Sequence, residues 1–168
     1  MQSGRDGFRF EGETVAVEAG EPWWVHYVVE LSPSWFTRRA HISARSSLGH
    51  RAIVLQFDGD GHWLIDGRRQ PHLDGCPDVD LESSAVTNTF PVHRLALEAG
   101  QTADAPAAFV RALDLSVERL EQHYHRLPDG ESGQCYAYKA PRFDADFVLP
   151  YDASGLVMDY PGLARRSH

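Results

Sequence analysis

No run of apolar residues in the 168-residue chain approaches the roughly 18 to 20 that a membrane-crossing helix needs. The opening Met1-Gln2-Ser3-Gly4-Arg5-Asp6-Gly7 has no apolar h-region, so a cytoplasmic protein without a transmembrane segment is expected. Cysteine is scarce. Cys76 and Cys135 are the only two, and without Cys-x-x-Cys spacing they spell neither a zinc ribbon nor a redox pair. Positive charge is also short: 16 Lys and Arg against 24 Asp and Glu give −8, which repels phosphate backbones and excludes nucleic acid as the expected partner. Gly-rich phosphate loops of the Walker and dinucleotide types are missing, as is a Gly-x-Ser-x-Gly elbow, so no cofactor and no catalytic residue is assigned.

What is present is a foldable chain with strand periodicity. Hydrophobic residues make up 42% and charged residues 24%, far from the composition of disordered chains, and the length suits a single domain over residues 1–168. Period-2 alternation, the mark of strands with one wet and one dry face, recurs along most of it. Val15, Val17 and Ala19 share a face. Trp23, Val25, Tyr27, Val29 and Leu31 form the longest series and predict a central strand, followed by Ala40, Ile42 and Ala44 opposite Arg39, His41, Ser43 and Arg45, then by Ile53, Leu55 and Phe57. Asp58-Gly59-Asp60-Gly61 and Asp66-Gly67 supply hairpin turns around His62-Trp63-Leu64-Ile65, which completes a meander.

From residue 70 to 91 the pattern loosens into Pro, Gly, Asp, Ser, Thr and Asn, and so long a connection is usually functional. Residues 92–98, 107–115, 134–140 and 142–149 again read as extended, and Leu156, Met158 and Tyr160 close the series. Residues 116–127 are ambiguous: Val117, Leu120, Tyr124 and Leu127 fall at helical spacing, while Leu120, Gln122 and Tyr124 also suit a strand. The fold class is mainly β, a strongly curved antiparallel sheet forming a spiral β-roll or half-barrel with at most one or two short helices. Four Trp, eight Phe and six Tyr suit the lining of a cavity as well as a core.

Three stretches carry a resemblance: Asp60-Gly61-His62-Trp63-Leu64-Ile65-Asp66-Gly67, Leu73-Asp74-Gly75-Cys76-Pro77-Asp78-Val79-Asp80-Leu81, and Thr87-Asn88-Thr89-Phe90-Pro91-Val92-His93-Arg94-Leu95. With Gln122-His123-Tyr124 and Gly155-Leu156-Val157-Met158-Asp159-Tyr160-Pro161-Gly162-Leu163, the chain resembles the "putative glycolipid-binding" family of bacterial proteins over nearly its whole length. The resemblance implies a spiral β-roll similar to the cupped sheet of periplasmic lipoprotein carriers, a lipid-like or glycolipid-like ligand, and no covalent chemistry. It also implies a strand over residues 116–127, because relatives tend to place Pro near Arg119. Where they tend to have Arg, this chain has His93.

The densest polar cluster runs from Asp74 to Arg94 and predicts the rim of a binding cup. Asp74, Asp78, Asp80, Asn88 and His93 are candidates for hydrogen bonds to sugar hydroxyls, and Arg94 for a phosphate or carboxylate. The same residues also serve a purely structural account, in which they satisfy the backbone of a long connection. Trp63 stacks on a sugar ring or fills the core, and Tyr124 is taken as a further ligand contact. Arg94, between Val92 and Leu95, calls for Asp74, Asp78 or Asp80 as partner. His123-x-His125 is a weak metal pattern, and no EF-hand spacing supports calcium; no metal is assigned. Cys76 reads as a buried structural thiol. The leading expectation is non-enzymatic binding of an amphiphilic small molecule. A hydrolase or isomerase working through residues 74–94 is the alternative, and a plain interaction module the third.

Overall fold

The computed structural model describes residues 2–4, 7–131 and 133–167. The first half is an antiparallel meander of seven strands in chain order: β1 (Gln2–Gly4), β2 (Gly7–Glu18), β3 (Glu21–Leu31), β4 (Thr37–Ser46), β5 (Gly49–Phe57), β6 (Trp63–Ile65) and β7 (Arg68–Arg69). Trp23, Val25, Tyr27, Val29 and Leu31 all point into the core from β3, opposed on β4 by Ala40, Ile42 and Ala44. The Asp66-Gly67 pair turns the chain with φ of 48° and 77°, the doubly positive geometry of a tight hairpin. Val15 and Val17 are exposed; the inward side of that half of β2 is carried by the smaller Thr14 and Ala16.

Residues 70–91 are not a rim loop. A 3-10 turn (Pro71–Leu73), strand β8 (Asp78–Leu81), a second 3-10 turn (Ala85–Asn88) and helix α1 (Thr89–Leu95) thread through the interior. Leu73, Cys76, Val79, Leu81 and Phe90 fill the concave face of the meander. All four residues of β8 are buried, so its Asp-Val-Asp-Leu alternation separates two dry environments rather than a wet and a dry one. The extended reading of residues 92–98 is corrected too. Pro91 sits in the first turn of α1, where its missing N–H costs nothing, and Ala96 closes the helix in the left-handed region at φ 46°.

β9 (Thr102–Asp104) precedes β10 (Ala107–Val110) and β11 (Val117–Leu120), which with β8 form a three-stranded sheet in the order β11-β10-β8. β8 and β10 run parallel, a departure from the expected all-antiparallel sheet. Ala108 and Val110 face the first core and Phe109 the second, so this small sheet is a layer between two apolar clusters. With β9, β12 (His123–Gly130), β13 (Gly133–Ala140) and β14 (Ala145–Pro150) form a four-stranded sheet in the order β14-β13-β12-β9. β11 and β12 settle residues 116–127 as strand, interrupted at Glu121 and Gln122. β15 (Asp159–Tyr160) and β16 (Ala164–Arg165) make a terminal ribbon. Among the described residues α1 is the one α-helix, and no helix is long and apolar enough to cross a membrane.

Candidate functional site

Strand period places the acids. On β8 Val79 and Leu81 point into the first core, so Asp78 and Asp80 point to the other side, toward the tyrosine-rich second cluster. Parallel pairing sets Asp80 opposite Phe109. Beside them opens a pocket of about 460 Å³, within the range of small-molecule sites. Phe109, Phe143, Phe147 and Tyr160 form its aromatic wall, and Asp80, Asn88 and Tyr138 its polar end; Glu18, Glu82, the aliphatic Leu81, Leu120 and Ala145 and the 161–163 turn complete the lining. The rings lean on one another, Phe109 on Phe143 at 5.1 Å and Phe147 on Tyr160 at 5.7 Å between centroids.

Among the described residues Asp80 has no cationic partner. Thr87 Oγ1 donates to its Oδ1 at 2.6 Å, and Gln122 Nε2 to its Oδ2 at 2.5 Å. Burial pushes its pKa up, and those hydrogen bonds pull only part of the way back. The network continues outward: Gln122 Nε2 also lies 3.1 Å from the Tyr138 hydroxyl, Asn88 Nδ2 donates to Tyr124 at 2.9 Å, and Tyr151 donates to the Asn88 carbonyl at 3.2 Å. Burial raises the pKa of Tyr124, Tyr138, Tyr151 and Tyr160, so every one of these phenols keeps its proton at neutral pH and remains a donor.

The other acids are taken. Arg94 donates to Asp78 through Nε at 3.1 and 3.2 Å and through Nη2 at 2.6 Å, with its guanidinium 5.5 Å from the Phe36 ring centre. Arg69 holds Asp74 at the surface with bonds of 2.5 and 2.8 Å and lowers its pKa. Glu82 accepts the Ala112 N–H at 2.7 Å and pairs with Arg111 at 3.2 Å.

Of the eight residues singled out in the sequence, Asp80 and Asn88 line the pocket. Tyr124 lies fully buried behind Asn88. Asp78 and Arg94 form a pair outside the lining, and Asp74 is on the surface. Trp63 is fully buried beneath the meander, where its indole donates to the Cys76 carbonyl at 2.7 Å. His93 stacks on Trp35 at 3.7 Å and reaches the Ser154 carbonyl at 3.0 Å; burial lowers its pKa. Sequence reading missed Phe109, Phe143, Phe147 and Tyr138. Residues 134–140 read as extended, but nothing in them pointed to Asp80. Among the described residues no group of three or more His, Cys, Asp or Glu is placed to hold a metal ion. His123 instead pairs with Asp104 at 2.6 Å.

Residues 1–166 match the family model described as "Putative glycolipid-binding". The chain belongs to this family. It is also similar to a DUF1089 family protein from Pseudomonas aeruginosa known from its crystal structure: 33% identity and a TM-score of 0.82, over 99% of this chain and 95% of that one. No curated protein matches it.

The segments by which the chain resembles the glycolipid-binding family are packed against each other. Asp80 and Leu81, Asn88, and Tyr160 to Leu163 all line one pocket, and Gln122 donates a hydrogen bond to Asp80. The first of them contributes Trp63 to the apolar cluster that also holds Val79 and Leu81.

Proposed function

We propose that this protein binds a lipid-like or glycolipid-like amphiphile without covalent chemistry, with the polar part of the ligand at Asp80, Asn88 and Tyr138. The observation that carries the reading is the composition of the pocket: aromatic side chains on its wall and a buried, hydrogen-bonded carboxylate at one end, the arrangement expected where a ligand has one apolar and one polar side. A neighbouring groove of about 600 Å³ adds support. It shares Glu18, Tyr160, Gly162 and Leu163 with the pocket and is lined by Val15, Val17, Val86, Leu156 and Met158. An acyl chain leaving the pocket there covers Val15 and Val17, which are 74% and 71% exposed, and gives that apolar surface a role.

Catalysis through the acids of residues 74–94 has less behind it. Asp74, Asp78 and Glu82 are each held by an arginine, and a paired carboxylate is a poor proton carrier, so Asp80 has no second free carboxylate in that segment with which to share acid and base roles. Two free thiols, Cys76 and Cys135, suit a reducing compartment such as the cytoplasm. The binding reading is tested by native mass spectrometry of the purified protein and by titration with a fluorescent acyl probe. Saturable binding that Phe147→Ala weakens is the expected result. Absence of both co-purified lipid and saturable probe binding refutes it.

A further inference from the structure

We propose that the pocket selects an uncharged, hydroxyl-rich headgroup and rejects anionic ones such as phosphate, sulfate or carboxylate. The inference rests on the binding reading above and narrows its ligand class. Three lining residues, Glu18, Asp80 and Glu82, are carboxylates, and the described residues that line the pocket include no Lys, Arg or His. The nearby cations are already paired. Arg94 is committed to Asp78, Arg142 to Glu118 at 2.6 Å, and Arg165 and Arg166 of the adjoining groove to Asp159 and Asp152; Arg111 offsets the charge of Glu82 at 3.2 Å, so Glu18 and Asp80 carry the negative character of the lining.

An anionic headgroup would leave water without gaining a counter-charge, beside a carboxylate held by neutral donors alone. That is the costly case for burial of a charge. A sugar suffers no such penalty. Its hydroxyls find the Asn88 amide and the Tyr138 and Tyr160 phenols, which both donate and accept, and its C–H face finds the Phe109 and Phe147 rings. Asp80 contributes as an acceptor whose lone pairs are only partly used by Thr87 and Gln122.

The test compares two amphiphiles with one tail, decyl maltoside and decyl phosphate, by isothermal titration below their micelle concentrations. The maltoside should bind at least about tenfold more tightly, the factor that one modest like-charge contact supplies. Glu18 is exposed at the end of β2, so Glu18→Lys folds normally. It should raise the phosphate-to-maltoside affinity ratio several-fold, as should Asp80→Asn, with circular dichroism checking its fold. Equal or tighter phosphate binding overturns the proposal, as does a ratio that neither variant moves. If neither amphiphile binds the wild type while its fold is intact, the pocket reading itself falls, and the selectivity with it.

Discussion

Arg94→Ala should be among the most destabilising single changes in the chain. The side chains of Arg94 and Asp78 are 11% and 3% exposed, and three N–H to carboxylate contacts of 3.2 Å or less join them. Removing the guanidinium strands a buried carboxylate, which costs roughly 3 to 5 kcal/mol, and losing its contact with the Phe36 ring adds about 0.5 to 1 kcal/mol. Such a loss consumes much of the stability of a typical domain, about 5 to 15 kcal/mol. Arg94→Lys keeps the charge but not the planar fork, and should cost on the order of 1 to 2 kcal/mol. The deficit should depend on pH. Burial is the largest influence on Asp78 and raises its pKa above the ordinary 3.8, while Arg94 pulls the other way; without Arg94 the folded value climbs further. A carboxyl with a raised folded pKa holds its proton more tightly when folded, so stability falls as pH rises from the ordinary value through the folded one. The Arg94→Ala deficit should therefore shrink on acidification toward 3.8. Urea unfolding midpoints at several pH values measure this. Midpoints equal to wild type at neutral pH would refute the buried-pair account, and a large but pH-independent loss would refute its titration.

Trp63→Phe removes the indole donor to Cys76 and part of a fully buried ring, so thermal or urea unfolding should show a loss of about 2 to 4 kcal/mol with no effect on acyl-probe binding. At Gly155, φ is +72° and a Cβ would lie 2.4 Å from His93 Nε2; Gly155→Ala should cost about 1 to 3 kcal/mol and quench or shift the emission of Trp35, which stacks on that imidazole. Burial pushes the Cys76 thiol up to about 11, so Ellman's reagent at pH 8 should modify Cys135 and spare Cys76 until urea is added; two equally fast thiols in the native protein would contradict the packing.

The meander was legible because each of its central strands divides solvent from core. Ala40, Ile42 and Ala44 against Arg39, His41 and Arg45 announce their faces by polarity, and the unbroken apolar series Trp23, Val25, Tyr27, Val29 and Leu31 marks the inner face of β3. β8 defeats the same reasoning. Its polar residues are as buried as its apolar ones, and what separates them is the partner each side meets: aliphatic core for Val79 and Leu81, an arginine for Asp78, a threonine and a glutamine for Asp80. Composition cannot report that, since the partners come from α1, the second 3-10 turn and the β11–β12 junction. For the same reason the eight polar and aromatic residues chosen from the sequence divide between roles that it does not distinguish. Arg94 and Asp80 look alike as members of a polar cluster. One satisfies its partner's charge completely, and the other leaves a carboxylate facing an aromatic pocket with only neutral donors around it. On the proposed binding reading, affinity for a ligand resides in that difference. A buried acid already neutralised by arginine has little left to offer a headgroup, whereas Asp80 is buried, retains accepting capacity, and would form each new hydrogen bond where it counts for more than at the surface.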